Sequence, residues 1–408
     1  MAYLETFVQV AVALGIILMV CQIVGSLASY IAQPRVVGEM IAGVMLGPTL
    51  FGKIFPDLYL LAFPSDVMPF LFVIANIGLS FYMFIVGMEI DLKSFNKKLM
   101  TDAGFLSFGA LVTPFIFAFF TTLLFAELLN TQDLPFLSFF IFMGAAFAIT
   151  AFPMLARILQ ESNILQTRIG GLAMISASIQ DVISWILLGL VTALAVGSGY
   201  SSVLLMIAGA TTLVFFLFYV VKPLIRYWIY RRGVQQLDSS TFSLVLFLLI
   251  ACAIFTDYLG LYSVFGGFML GLAMPRIPHL ISGISNRLKD ITLVLFLPVF
   301  FAFSGLNTDL GVLTEARFIG PAAIILLFAF ASKMIPLFGV MKLQKYSFQD
   351  SFSIAALMNS RGLMELIIAN IGLMYGLIDQ TLYAILVLIA IVTTLSAMPL
   401  YKVIQKKS

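Results

Sequence analysis

Residues 167–196 read TRIGGLAMISASIQDVISWILLGLVTALAV, and this stretch decides what kind of molecule the chain forms. It is longer than the roughly 20 apolar residues that carry a helix across a hydrocarbon core, and Arg168 and Asp181 are its only charged groups. Asp181 lies about 20 Å along the axis from Arg168 at 1.5 Å per residue, which places a carboxylate near mid-membrane. No base stands near it on the same helix. Ser178 and Ser184 lie one turn to either side and Gln180 is adjacent, so the helix presents a narrow polar stripe in an apolar wall. An Asp at a helix centre costs at least about 2.5–3.5 kcal/mol, so it is either a hydrogen-bonded structural group or a functional one.

The rest of the chain has the same character. Of 408 residues, 62% are hydrophobic and 10% charged, against roughly 45–50% and about 25% in soluble domains. Too few ionisable groups exist to cover a soluble body of this size, so the chain reads as an all-α polytopic membrane protein. The net charge of +3 is spread between apolar runs, which argues against nucleic acid as a partner. Cys21 and Cys252 sit inside apolar stretches without metal-ligand spacing and read as packing residues. The N-terminus lacks a basic region before its long apolar run, so that run is expected as a retained first helix.

Cutting the chain where Lys, Arg, Asp, Pro and Gly cluster predicts thirteen transmembrane helices, at 5–31, 36–51, 67–88, 103–128, 135–160, 167–196, 201–229, 240–256, 261–274, 286–305, 316–341, 349–374 and 380–402. With the C-terminus in the cytoplasm and the N-terminus outside, eighteen of the 22 lysines and arginines fall on the inner side, including Arg35, Lys93, Arg157, Arg168, Lys402, Lys406 and Lys407, as the positive-inside bias requires. Six helices, a seventh, and six more form inverted six-helix repeats, an arrangement common in secondary transporters. The fifth and twelfth segments hold equivalent positions in those repeats, and both read as interrupted. Pro153 lacks an N–H and disfavours helix at Phe152, and Asn359-Ser360-Arg361-Gly362 carries a helix-weakening glycine. Freed backbone groups survive at membrane depth only inside protein or a wet cavity, so the paired breaks point to a substrate site; two packing kinks are the plainer alternative.

Five acids and bases lie within the predicted spans: Glu39, Asp181, Lys333, Arg361 and Glu365. Arg361 and Glu365 are four residues apart and can pair structurally, as can Arg35 and Glu39. Lys333 has Asp181 as its simplest partner, or serves in a purely structural ion pair. A carboxylate, an amide oxygen, hydroxyls and freed carbonyls are hard ligands suited to alkali ions. His279 follows Pro278 in an inner loop and reads as a solvated residue.

The runs QPRVVGEMIAG at 33–43 with LGP at 46–48, FSGLNTDL at 303–310 and MNSRGLMEL at 358–366 resemble the monovalent cation:proton antiporter-2 superfamily of sodium/proton and potassium/proton exchangers, over about residues 5–402. The resemblance implies the sodium/proton antiporter fold, with two crossed discontinuous helices, and a homodimer whose scaffold domains hold mobile core domains that move as elevators. By position, 1–100 and 237–312 would be scaffold helices 1–3 and 8–10, and 199–236 the linker helix 7. Residues 101–198 would be core helices 4–6, and 313–408 core helices 11–13 with a short cytoplasmic tail. Asp181 matches the family's ion-binding aspartate, Thr150 the crossing of unwound helices, and Lys333 the lysine that salt-bridges to the acid. Gln180 departs from the Asp or Asn common in sodium exporters; Gln-Asp resembles the potassium efflux branch. That branch often carries a cytosolic nucleotide-binding regulatory domain; the sequence ends six residues after Lys402, so it reads either as a short member or as part of a longer chain, with a regulatory domain or subunit left open.

The expected activity is therefore secondary active monovalent cation/proton antiport with K⁺ favoured over Na⁺, not an enzymatic one. A proton or a dehydrated cation binds Asp181 in turn, with Gln180, Thr150, Ser178 and nearby carbonyls as further ligands. Lys333 would couple proton movement, while Pro153, Asn359, Arg361 and Glu365 shape the breaks. One proton for one cation gives electroneutral exchange unless Lys333 also releases a proton. No cofactor is expected, and the partners are K⁺ or Na⁺, protons, lipid and a second copy in a bacterial-type inner membrane. A gated cation channel or efflux pore using the same acid is the rival reading. An intramembrane enzyme with Asp181 and Lys333 as acid and base lacks a placed nucleophile.

Overall fold

The computed structural model describes residues 2–31, 33–89, 97–129, 134–165, 167–196, 199–232 and 237–405. Lys93, Lys406 and Lys407, counted above among the inner-side bases, lie outside them. The described residues are helical with no strand. Among them, nine helices are long and apolar enough to cross a membrane.

In chain order the main helices are α1 Ala2–Tyr30, α2 Arg35–Leu46, α3 Met68–Glu89, α4 Lys97–Leu129, α5 Phe136–Ala148, α6 Phe152–Glu161, α7 Arg168–Val196, α8 Gly199–Phe216 and α9 Lys222–Arg232. They continue as α10 Ser239–Tyr258, α11 Ser263–Ala273, α12 Pro278–Ile291, α13 Leu297–Leu306, α14 Ala316–Leu343, α15 Phe348–Met358, α16 Leu363–Met374 and α17 Gln380–Gln405. A π-turn at Leu217–Val221 joins α8 to α9, and another at Thr292–Phe296 joins α12 to α13. Helix is present in every segment expected from hydropathy. The segment 36–51 is cut short, because Gly47 leaves the helix in extended backbone before Pro48 and the chain restarts only at Phe51. The segment at 286–305 is longer than expected, because α12 begins at Pro278, a favoured first helical position.

The chain packs as two units. One contains Met1–Leu18, Tyr59–Ser94 and Ser198–Phe303. Its central pair is α3 and α11, which touch backbone to backbone: a Cβ on Gly87 would lie 2.5 Å from Phe268 O, and one on Gly271 would lie 2.3 Å from Phe84 O. Small residues permit this approach where apolar burial gives helices no reason to prefer each other over lipid.

The second unit contains Met19–Leu58, Phe95–Gly197 and Ser304–Ser408. Residues 19–58, which the expected boundaries group with the scaffold helices, pack here through Glu39, which pairs with Arg157, and Thr49, which bonds Thr308 O. The outward side chains are apolar, among them Phe105, Phe108, Ile116 and Leu123 on α4, while Thr150, Gln180, Asp181, Lys333, Asn359, Arg361 and Glu365 are fully buried. This inside-out polarity is what a lipid-embedded body with an internal polar site requires. At one end of the unit, Tyr346 donates to Asp102 Oδ2 at 2.6 Å, beneath the Arg168 guanidinium. Burial, followed by the Asp102 carboxylate, raises the phenol above its ordinary range, so Tyr346 stays protonated and remains the donor.

Candidate cation site

The site is built in the second unit around two breaks in helix. The first lies between α5 and α6, where Ile149 takes extended backbone and Ala151 is also non-helical, and Pro153 falls in the first turn of α6, the position that tolerates a missing N–H. The second follows Met358. Ser360 closes the end of α15 by donating through its hydroxyl to Leu357 O at 2.7 Å. Gly362 has φ +145°, a conformation side chains rarely adopt, and a Cβ there would also meet Met154 Cε at 2.8 Å. Arg361 is held across this turn by Thr394, whose hydroxyl accepts from its N–H and donates to its carbonyl.

A helix end leaves carbonyls without partners and a partial negative charge. At the end of α5 two buried cations meet both needs. Lys333 on α14 donates to Ala148 O, and Arg361 donates to Ala146 O at 3.1 Å. Arg361 also reaches Ala329 O at 2.8 Å and Glu365 at 3.4 Å, so the expected Arg361–Glu365 pair is present. A single guanidinium thus ties the second break to the first and to α14.

Lys333 makes two further bonds, to Thr150 Oγ1 at 2.7 Å and Gln180 Oε1 at 3.0 Å, and Thr150 donates to the same Gln180 oxygen at 2.7 Å. Its partners are a carbonyl, a hydroxyl and an amide, all neutral. The expected Lys333–Asp181 ion pair is not formed. The three donors of the ammonium are taken up by oxygens at the break, leaving Asp181 apart: both carboxylate oxygens are buried and receive no hydrogen bond. The Phe152 N–H donates to Thr150 O at 2.9 Å.

Thr150, Gln180 and Lys333 are therefore gathered at one point, with Asp181 next to Gln180 on α7. Ser178 is not gathered with them; its hydroxyl donates to Ile175 O on its own helix at 3.3 Å. Asn359, which the sequence reading placed only among the residues that shape the breaks, has both amide atoms buried without a partner, and Ser184 Oγ of the polar stripe is likewise buried without one. The Asn359 amide could have been noticed, because a polar residue opening a mid-span break has few ways to be satisfied. The expected Arg35–Glu39 pair is replaced. Arg157 grips Glu39 through two nitrogens at 2.9 and 3.0 Å, while Arg35, at the first turn of α2, turns back to Gln22 at 2.7 Å. A planar guanidinium that meets both carboxylate oxygens prevails over a neighbour that meets neither.

Chemically, the site combines one carboxylate with neutral oxygens and amides in a dry setting. It can bind a proton or a small monocation. Among the described residues no group of three or more His, Cys, Asp and Glu gathers.

Known proteins carry the same framework. The family described as "Sodium/hydrogen exchanger, transmembrane" matches residues 14–402. Na(+)/H(+) antiporter NhaS4 of Synechocystis is 32% identical over 398 residues, covering 97% of each chain. K(+)/H(+) antiporter 1 of Saccharomyces cerevisiae is 33% identical over 406 residues, 96% of this chain and 46% of its own length, so this chain spans about half of that longer relative. The structure of the sodium proton antiporter MjNhaP1 from Methanocaldococcus jannaschii at pH 8 superposes with a TM-score of 0.70 at 17% identity, over 98% of this chain and 100% of that one, a likeness of fold. From a match spanning nearly its whole length, the chain belongs to the transmembrane sodium/hydrogen exchanger family.

Proposed function

We propose that the chain exchanges a monovalent cation for a proton across a membrane, the two competing for Asp181. The observation that carries this reading is a fully buried carboxylate that no basic side chain pairs with and that accepts no side-chain hydrogen bond. Such a charge is sustained only when neutralised. A proton and a monocation each neutralise it, and neither can do so while the other is bound. Membership of the exchanger family and relatives named as sodium/proton and potassium/proton antiporters support the same activity.

The finer features follow from the residues. With Gln180 in place of a second acid, the site has one carboxylate and weaker neutral oxygens. That lower field suits K⁺ over Na⁺, because K⁺ gives up its water more readily. Thr150 and Gln180, gathered at the first break, and the unpartnered amide of Asn359 are the candidates for the replacement ligands. One proton for one cation moves no net charge and is insensitive to voltage, whereas each uncompensated charge would be worth about 2.3 kcal/mol per 100 mV. Thirteen crossings with the N-terminus outside, a homodimer, and elevator movement of the unit that carries Asp181 complete the proposal; the excess of basic residues on one side supports the orientation.

The test is proton flux into proteoliposomes after addition of K⁺, Na⁺, Li⁺ or Rb⁺ under clamped voltage. The expected result is saturable, cation-dependent flux, strongest with K⁺ and without current. Cation flux that moves no protons would overturn the exchange reading, and Na⁺ ranking above K⁺ would overturn the role given to Gln180.

A further inference from the structure

The exchange reading gives no use to α9, which belongs to the first unit. Leu204 to Val221 covers about 27 Å at 1.5 Å per residue, close to the hydrocarbon thickness of a bilayer, and none of its residues is charged. Helix continues past that length: α9 reads KPLIRYWIYRR, with four bases and no acid, and so stands at headgroup depth. Ile225 and Ile229 are buried and fix the side of α9 that faces the protein. At 100° per residue, Arg226, Tyr227, Tyr230 and Arg231 lie within an arc of about 140°, centred nearly opposite those two isoleucines. All four are exposed, the two rings by 59% and 66%. Their side chains interleave: the Arg226 guanidinium lies 5.6 Å from the Tyr230 ring centre, and that of Arg231 lies 6.0 Å from the Tyr227 ring centre. Among the described residues no acid pairs with Arg226 or Arg231. Orientation in the membrane asks only for positive charge here; it does not ask for rings beneath it.

We propose that this face of α9 binds the headgroups of anionic phospholipids, with phosphate oxygens on Arg226 and Arg231 and the upper acyl chains against Tyr227, Tyr230 and Leu224. A guanidinium fork matches phosphate oxygens in shape and charge. A ring on one face of the guanidinium holds its plane and leaves its edge free to donate. Tyrosines suit the same depth, because the ring is apolar and the hydroxyl reaches water and headgroups. Bases next to a span are attracted to anionic lipid over zwitterionic lipid, which brings its own cation. A second copy meeting this face about a two-fold axis would set arginine against arginine, whereas a lipid anion neutralises both. The surface shares no residue with the cation site and stands whether or not the exchange reading holds.

The test uses the purified full chain in detergent, titrated separately with phosphatidylglycerol, phosphatidylcholine of the same acyl chains, and soluble glycerol 3-phosphate. Bound molecules per chain are read by native mass spectrometry. Phosphatidylglycerol is expected to bind more tightly than phosphatidylcholine, and glycerol 3-phosphate not to be retained. Arg226→Gln and Arg231→Gln should each weaken phosphatidylglycerol binding about five-fold, and together about twenty-five-fold, from the value of one base near an anionic surface, with phosphatidylcholine unchanged. Tyr227→Leu keeps every charge and removes the ring beside Arg231. It should weaken phosphatidylglycerol binding about two- to five-fold, the worth of an exposed cation–π contact, and it keeps the test valid if the arginine variants fold poorly. Equal binding of phosphatidylglycerol by wild type and the double arginine variant, or of both lipids by the wild type, overturns the proposal. Glycerol 3-phosphate bound as tightly as the lipid overturns it in favour of a soluble phosphate ester. A wild-type dimer that becomes monomeric in the double variant overturns it in favour of a second copy.

Discussion

At the break at residues 359–362 a buried acid and a buried base are partners; at the break at 149–151 they are not. Arg361 and Glu365 sit four residues apart on the same stretch of chain and meet at 3.4 Å. Around them, Thr394, Ala146 O and Ala329 O take further bonds of Arg361, although Arg361 Nε and Glu365 Oε2 stay buried without a partner. Lys333, by contrast, spends its donors on Ala148 O, Thr150 and Gln180 and leaves the Asp181 carboxylate unbonded. In the first arrangement the opposite charges meet, and Arg361 links three elements. In the second the carboxylate accepts no hydrogen bond, which is why the proposal places the mobile charge there. Buried ionisable groups are therefore separable by their partners: Arg361 and Glu365 have each other, and Asp181 has, in the exchange proposal, its cargo.

The comparison breaks most readily at its two acids. Asp181→Asn should abolish cation-dependent proton flux in proteoliposomes while leaving the melting temperature equal or higher, since it removes an unpartnered buried charge. Retained exchange would show that the cation site lies elsewhere. The Arg361–Glu365 pair should respond in stability instead. Arg361→Leu leaves Glu365 and two carbonyls unpaired and is expected to destabilise by about 3–5 kcal/mol, measured by denaturation in detergent. Adding Glu365→Leu should recover part of that loss, and additive losses would contradict the pairing. Gly362→Ala should cost about 1–3 kcal/mol from its backbone conformation, with a further contribution from the contact with Met154. The smallest effect is expected at Thr150→Val, which keeps the shape and deletes one hydroxyl. Loss of a hydrogen bond worth about 0.5–1.5 kcal/mol should raise the half-saturating cation concentration up to about ten-fold with little change in maximal rate. A change confined to maximal rate would place Thr150 outside cation binding.

Much of this was legible before any coordinates. Apolar runs located the helices, because a lipid environment leaves few alternatives for the backbone. Pro153 and Gly362 marked both breaks, because each has a local conformational cause. Asp181 stood out because nothing on its own helix could pair with it. The partners were less legible. Ala148 O and Ala146 O are backbone atoms and carry no side-chain signature, so the cations that cap α5 could not be inferred from spacing. The replacement of Arg35 by Arg157 as partner of Glu39 depends on two elements more than a hundred residues apart in the chain. Ser178 looked like a ligand from its place one turn before Asp181, but a serine in a helix can also satisfy itself on a preceding carbonyl, as it does here.

Competition at Asp181 is the central claim, and proton release on cation binding tests it most directly. In weakly buffered detergent solution, near the pH at which half of the chains carry a proton at the site, K⁺ added to the purified chain should release protons. Release should saturate with K⁺, stay below about one proton per chain, and vanish in Asp181→Asn. K⁺ binding to the wild type without proton release, or with the same release in Asp181→Asn, would contradict it.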